Sequence, residues 1–270
     1  MDRARVAGWL VAAVGRARRI HRFRIPPQQR LHLAALLIAL AALPLRADDD
    51  IRFTATLTQD EFAQFSHVVA QGIFPTPVQP ARTSGFLGFD IGVAGTAVSI
   101  DKDATWWKHS VGNDFSTGGY IGVPRLVASK GFGAGTISGS YAKLGDSGIQ
   151  TYGGSLDLPV FRGSLVTPEV ALRASYATIT GVDVYKQKVY GLEAFISKGF
   201  GPVMPYGAIG KMRSNATGTI EVPVAHTIHD ASNVTRYTAG VRISLLVPKI
   251  AVEVTKAEVT SYAAKISFGF

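Results

Sequence analysis

The last nine residues, "YAAKISFGF" (Tyr262–Phe270), decide how this chain is read. In an extended strand Tyr262, Ala264, Ile266, Phe268 and Phe270 share one face, and Ala263, Lys265, Ser267 and Gly269 share the other. Chain ends are usually polar and frayed, because they are seldom tied into a core. A chain that closes on Phe, with a second Phe two places earlier, needs an apolar surrounding at its very end.

Working back from that strand, the period of two recurs. Leu87, Phe89, Ile91 and Val93 alternate with Gly88, Asp90 and Gly92, and Tyr237, Ala239, Val241, Ile243 and Leu245 alternate with Thr238, Gly240, Arg242 and Ser244. Ten such segments fall around residues 85–100, 119–129, 134–143, 149–160, 168–180, 185–198, 203–216, 234–247, 249–256 and 260–270. Most run to about ten residues, the length a tilted strand needs to cross a bilayer. Asp90, Asp157, Arg173, Glu193, Lys211, Arg242, Glu253 and Lys265 lie opposite the main apolar set of their segments. In a soluble sandwich these charges would face water. In a membrane barrel they face an enclosed lumen, where acids and bases can pair. The second arrangement also explains the terminal Phe.

The final strand resembles the C-terminal signal of bacterial outer-membrane β-barrels, with Phe270, Phe268, Ile266 and Tyr262 at the matching positions. The resemblance implies recognition by the barrel assembly machinery and insertion into outer-membrane lipid. Its physical basis is that no unpaired strand edge can face lipid, so the last strand must pair with the first. It covers residues 85–270 as an architecture and the last nine residues as a motif.

The N-terminal portion agrees. An arginine-rich region precedes the apolar run Leu33–Leu45, and Ala47 precedes three aspartates, the order of a secretory signal cleaved after Ala47. This predicts Sec-type export from a Gram-negative cytoplasm, with residues 1–47 removed. The formal charge of +9 is concentrated in that leader, which holds nine of the 28 basic residues and one of the 19 acidic ones. The remainder is nearly neutral and lacks the concentrated positive charge of a nucleic-acid surface. Cysteine is absent, which suits a chain that crosses an oxidising compartment unfolded.

Residues 48–84 read as a short helix and a linker. Thr58 with Glu61 is a capping-box pattern, Phe62, Phe65 and Val69 recur at helical spacing, and Gly72 is a stop. The Pro-rich "PTPVQPARTSG" follows. The helix is expected on the periplasmic side, plugging that mouth or docking on its rim. "SKGFG" occurs twice, at Ser129–Gly133 and Ser197–Gly201, and both copies lead into tight turns expected on the periplasmic side. Asp101 to Gly118 and Thr217 to Asn233 read as the longest connections, both on the opposite side.

Catalytic motifs are scarce, and none calls for a cofactor. "GAIGKMRS" lacks the spacing of a phosphate loop, and no Gly-x-Ser-x-Gly surrounds any serine. His226, His229 and Asp230 offer metal-ligand types without a distant fourth ligand, so no metal site is assigned. Trp106 and Trp107 read as anchors at the lipid headgroups.

The expectation is therefore an all-β, antiparallel, up-and-down transmembrane barrel of about ten strands, with a structural or binding role or limited passage of small solutes, and with no ligand identified. A lipid-modifying enzyme, using His109 with Ser110, and a transporter of hydrophobic small molecules are the alternatives.

Overall fold

The computed structural model describes residues 51–81, 85–111, 119–144, 148–164, 166–221, 224–245 and 248–270. The leader, 1–47, lies outside the described residues. Two helices, α1 (Gln59–Ile73) and α2 (Thr105–Val111), accompany ten strands. The strands are β1 (Phe89–Ser99), β2 (Tyr120–Gly131), β3 (Thr136–Lys143), β4 (Gln150–Phe161) and β5 (Glu169–Thr180), then β6 (Tyr185–Ser197), β7 (Val203–Ile220), β8 (His226–Ser244), β9 (Pro248–Lys256) and β10 (Thr260–Gly269).

Every strand pairs antiparallel with its sequence neighbour, and β1 pairs with β10 to close the barrel. The closing register sets Ile91 opposite Phe268 and Val93 opposite Ile266. Past the ladder, Phe89 and Phe270 exchange both backbone hydrogen bonds, and their rings meet edge to face at 4.5 Å. The terminal Phe is thus the last tooth of the seam.

The barrel is inside out relative to a soluble fold. Ile91, Val93, Leu126, Ile137, Leu172, Leu192, Ile196, Ile209 and Ile266 are all at least two-fifths exposed on the outer surface. Two aromatic girdles flank this aliphatic belt. Outward Phe86, Phe89, Phe132, Phe161, Phe200 and Phe270 ring the end that carries the C-terminus. Outward Tyr120, Tyr141, Tyr152, Tyr176, Tyr190, Tyr237 and Tyr262 ring the half toward α2, with Tyr141–Tyr152 and Tyr176–Tyr190 stacked across neighbouring strands at 5.2 Å. Along β10 the step from Tyr262 to Phe270 is eight residues, or about 26 Å of strand, which a tilt of about 40° shortens to about 20 Å. An apolar band between two aromatic girdles is the outer face of a membrane barrel.

The two ends of the barrel differ. The Phe270 end has connections at 132–135, 162–168, 198–202 and 245–247, whereas the other end carries the connection that contains α2. Both copies of the repeat lie at the Phe270 end. Gly133 (φ 86°) and Gly201 (φ 61°), the fifth residue of each copy, take up the left-handed turn conformation that side chains disfavour. The segment read as a long connection, Thr217 to Asn233, is corrected: β7 and β8 run on through it as a ladder from Thr217 and His229 to Ile220 and His226, leaving only 221–225 as the connection. Alternation continues there with polar residues outward, past the height of the apolar belt.

A lumen threaded by the chain's own N-terminal segment

Helix α1 forms where the capping box predicts it. The Thr58 hydroxyl accepts from the Glu61 backbone N–H, and the Glu61 carboxylate accepts from the Thr58 backbone N–H at 2.9 Å. That bond holds the Glu61 carboxyl below its ordinary value.

The helix is not on the Phe270 side. It sits within the barrel at the α2 end, opposite the short turns whose mouth it was expected to share. The reason lies in the wall. Near the α2 end the inward residues are apolar: Val98, Ile149, Ile179, Tyr185, Ile220, Ile228 and Val234 form one buried cluster with Phe62, Phe65 and Val68 of the helix. Deeper in, the wall is charged and could not receive a greasy helix face. Phe53, Phe62, Phe65 and Tyr185 meet edge to face at 5.4–6.1 Å.

Polar contacts tie the helix to the rim. Ser66 donates to Asp230 at 2.7 Å, and His67 lies between Asp230 and Glu258. Gln59 donates to the His229 carbonyl, and Glu61 meets the His109 ring at 3.1 Å. Beside it is a rim cleft of about 670 Å³, lined by His67, Trp106, Lys256 and Glu258 among others.

The reading of Trp106 and Trp107 as headgroup anchors is corrected here. Both ride on α2, which packs on α1. Trp107 is buried against Phe65 with ring centroids 6.3 Å apart, and Trp106 is half-buried beside it. A seven-residue helix in the connection turns the indoles toward the plug, not toward lipid.

From Phe74 the chain leaves the helix and runs through the lumen as an irregular thread to Ala81, buried at every residue, with a tight turn in which the Thr76 N–H donates to the Phe74 carbonyl at 2.8 Å and a bend at Val78 and Gln79. Pro75, Pro77 and Pro80 exclude helix and carry no N–H, so few thread donors need an acceptor from the wall. The wall supplies donors instead. Arg125 donates to the carbonyls of Gly72 (2.7 Å) and Phe74 (2.6 Å), and Arg173 donates to that of Gln79 (3.1 Å). The Gln79 side chain accepts from Lys265 (2.8 Å) and donates to Ser129 (3.2 Å), while Thr76 donates to Glu253 (2.9 Å).

Side-chain pockets receive the remainder. Arg236 lies 3.7 Å over the Phe74 ring, which presses on Gly191, where an added Cβ would stand 2.5 Å from ring carbon. Val78 fills a pocket of Ala94, Val127, Ala251 and Ala263. Its φ of 47° is rare for a β-branched residue, and such strain persists only where surroundings over-determine it. Ala81 rests among Ala171, Phe195 and Tyr206.

Several charged wall residues pair with one another. Arg173 grips Asp157 through two bonds, at 2.6 and 2.9 Å, and also lies over Phe195. Asp90 meets Lys265 (2.9 Å) and Lys249 (3.3 Å), and Glu193 meets Arg236 (3.4 Å). Glu253 accepts from Tyr206 at 3.0 Å. Arg242 faces the lumen near the Phe270 end, beside Met204. Lys211 does not belong to this set: it is exposed on the outer face. Tyr206, Ala208, Gly210, Met212 and Ser214 form the inward set of β7, so Lys211 falls outward with Ile209. There it lies beside the tyrosine girdle, where its long stem reaches toward water.

Arg125 and Arg236 carry much of the grip and were not singled out in the sequence. Arg236 was legible, because it precedes Thr238, Gly240 and Arg242 on the same alternating face. Arg125 follows Pro124, which obscured the facing of β2.

The residues considered for chemistry do not assemble. The Ser110 hydroxyl donates to the Trp106 carbonyl at 2.7 Å, while His109 faces Glu61. His229 meets Thr217, and His226 meets the Val224 carbonyl. Among the described residues no three His, Asp or Glu side chains form a metal-holding group.

Comparison with solved structures finds only weak likenesses. The structural neighbours are outer-membrane barrels. The N-terminal barrel domain of OprF from Pseudomonas aeruginosa is 15% identical, with a TM-score of 0.35, covering 69% of this chain and 99% of that one. Ail of Yersinia pestis is 14% identical, with a TM-score of 0.32, covering 68% and 97%. Neisserial surface protein A is 11% identical, with a TM-score of 0.29, covering 68% and 97%. No family model matches the chain, and no curated protein does. The barrel itself is established by the closed strand pairing, not by these likenesses.

Proposed function

We propose that this protein is a self-plugged outer-membrane barrel of a Gram-negative bacterium, with a structural or binding role and not that of an open pore. One observation carries the reading: the lumen is filled by the chain's own residues 74–81, held by Arg125, Arg173, Lys265 and Glu253. An eight-stranded barrel is filled by its side chains alone. Ten strands leave more room, and here the thread takes it.

The aliphatic belt between aromatic girdles supports a place in lipid. The seam made by Phe268 and Phe270 supports a role for the last strand in assembly. Passage of small solutes requires the thread to leave, so it is a secondary state of the same molecule.

Bilayer recording tests the assignment. The full chain inserts and stays closed, and Arg125→Ala, which frees the Gly72 and Phe74 carbonyls where helix meets thread, adds brief openings. A steady ohmic current from the unaltered protein would refute the closed-lumen reading. Recovery as a detergent-free soluble monomer would refute the membrane one.

A further inference from the structure

The thread joins opposite ends of the barrel. At one end, the Arg52 and Thr54 backbone N–H groups donate to the Ser110 and His109 carbonyls of α2 (3.2 and 3.0 Å), so the chain near Ile51 lies at the α2 end. At the other end, the Phe86 carbonyl accepts from Lys130 at 3.0 Å just before β1 begins beside Phe270. Between these ends Phe74–Ala81 follows the lumen, from Gly191 and Arg236 at Phe74 to Ala171, Phe195 and Tyr206 at Ala81.

We propose that the barrel passes its own N-terminal region outward through the lumen and presents it at the outer surface, with helix α1 as the stop that prevents retraction. Which face is outer rests on the outer-membrane reading above; the crossing does not. Export delivers the mature N-terminus to the same side as the last strand. To reach the α2 end, residues ahead of the thread must therefore cross the lumen, or be enclosed by it as β1 and β10 close.

The composition of the thread suits such a path. It holds no charged residue, and its three prolines keep it from forming helix and remove donors that the charged lumen would otherwise have to satisfy. A helix is about 10–12 Å across with its side chains, much wider than an extended chain. Once α1 folds against Tyr185, Ile220 and Trp107, it can no longer slip back down the narrow, polar lumen. The capping box at Thr58 favours folding of that helix as soon as it emerges.

The chain has no cysteine, so single substitutions report accessibility without background. In the full-length protein, Ala55→Cys marks the N-terminal segment, Asp103→Cys the α2 end and Val166→Cys the Phe270 end; all three positions are exposed. Intact cells are treated with a membrane-impermeant maleimide, and folding of each variant is verified by heat-modifiable gel mobility. Ala55→Cys should label to the same extent as Asp103→Cys, and Val166→Cys only after permeabilisation. Labelling of Ala55→Cys in step with Val166→Cys overturns the crossing. If Ala55→Cys and Asp103→Cys are both protected while Val166→Cys is open, outward presentation is overturned along with the assumed orientation, but the threaded path stands.

Discussion

Helix α1 and the thread that follows it adjoin in sequence and occupy the same barrel, yet different forces hold them. The helix buries Phe62, Phe65 and Val68 in an apolar cluster at the α2 end. The thread also seats Phe74, Val78 and Ala81 among apolar side chains, but its backbone carbonyls and polar side chains are gripped by guanidinium, ammonium and carboxylate groups. The difference follows the wall. Where the barrel interior is apolar it takes a helix, whose backbone is satisfied internally and whose side chains want a greasy partner. Where the interior is charged it takes non-helical backbone, several of whose carbonyls accept from the wall. A barrel can therefore specify the conformation of its plug by the polarity of successive layers.

The largest test of that contrast is in the charged layer. Asp157→Leu leaves Arg173 buried without its bidentate carboxylate, and breaking one half of a buried pair typically costs about 3–5 kcal/mol. Urea unfolding in detergent micelles should show a loss of that size; an unchanged midpoint would mean that the pair contributes nothing to the wall.

Phe65→Ala tests the apolar layer. Removal of a buried Phe costs about 3 kcal/mol or more, and the helix, not the strand ladder, should bear it. Proteolysis should then cut within 51–73 while the barrel keeps its heat-modifiable mobility. Collapse of both together would erase the distinction between the layers.

The smallest effect is at the cap. Thr58→Ala should cost about 1 kcal/mol of helix stability. Because the Glu61 carboxyl is held below its ordinary value when folded, its contribution is complete above that ordinary value and disappears as pH falls through the lower, folded one. Protection of the helix should therefore weaken in acid in the parent and less so in Glu61→Gln, which has no carboxylate to protonate. Equal acid sensitivity in those two would detach the Glu61 carboxylate from the helix's stability.

Much of the wall could be read from alternation, because a strand that separates lipid from lumen must change polarity at every residue. The ten segments and the outward set of the last strand follow from that rule. It failed at Lys211, where the inward face of β7 is itself made of Tyr206, Ala208, Gly210 and Met212. Polarity no longer marks the inside on that strand. It failed also at Trp106 and Trp107, because a short helix in a connection obeys no strand period. The Thr217 to Asn233 segment looked like a loop because its polar, small residues stand outside the apolar belt, where the outward face has no reason to be greasy.

The sequence alone determined the strand period, the capped helix, the Pro-rich segment that ends it and the apolar terminus, since each is a local pattern with a local cause. Only the tertiary structure decided that the helix lies at the α2 end and that Pro75–Pro80 lie inside the barrel. Those placements depend on which wall layers face one another across the lumen, and groups such as Arg125 and Gln79 meet only when the sheet closes on itself.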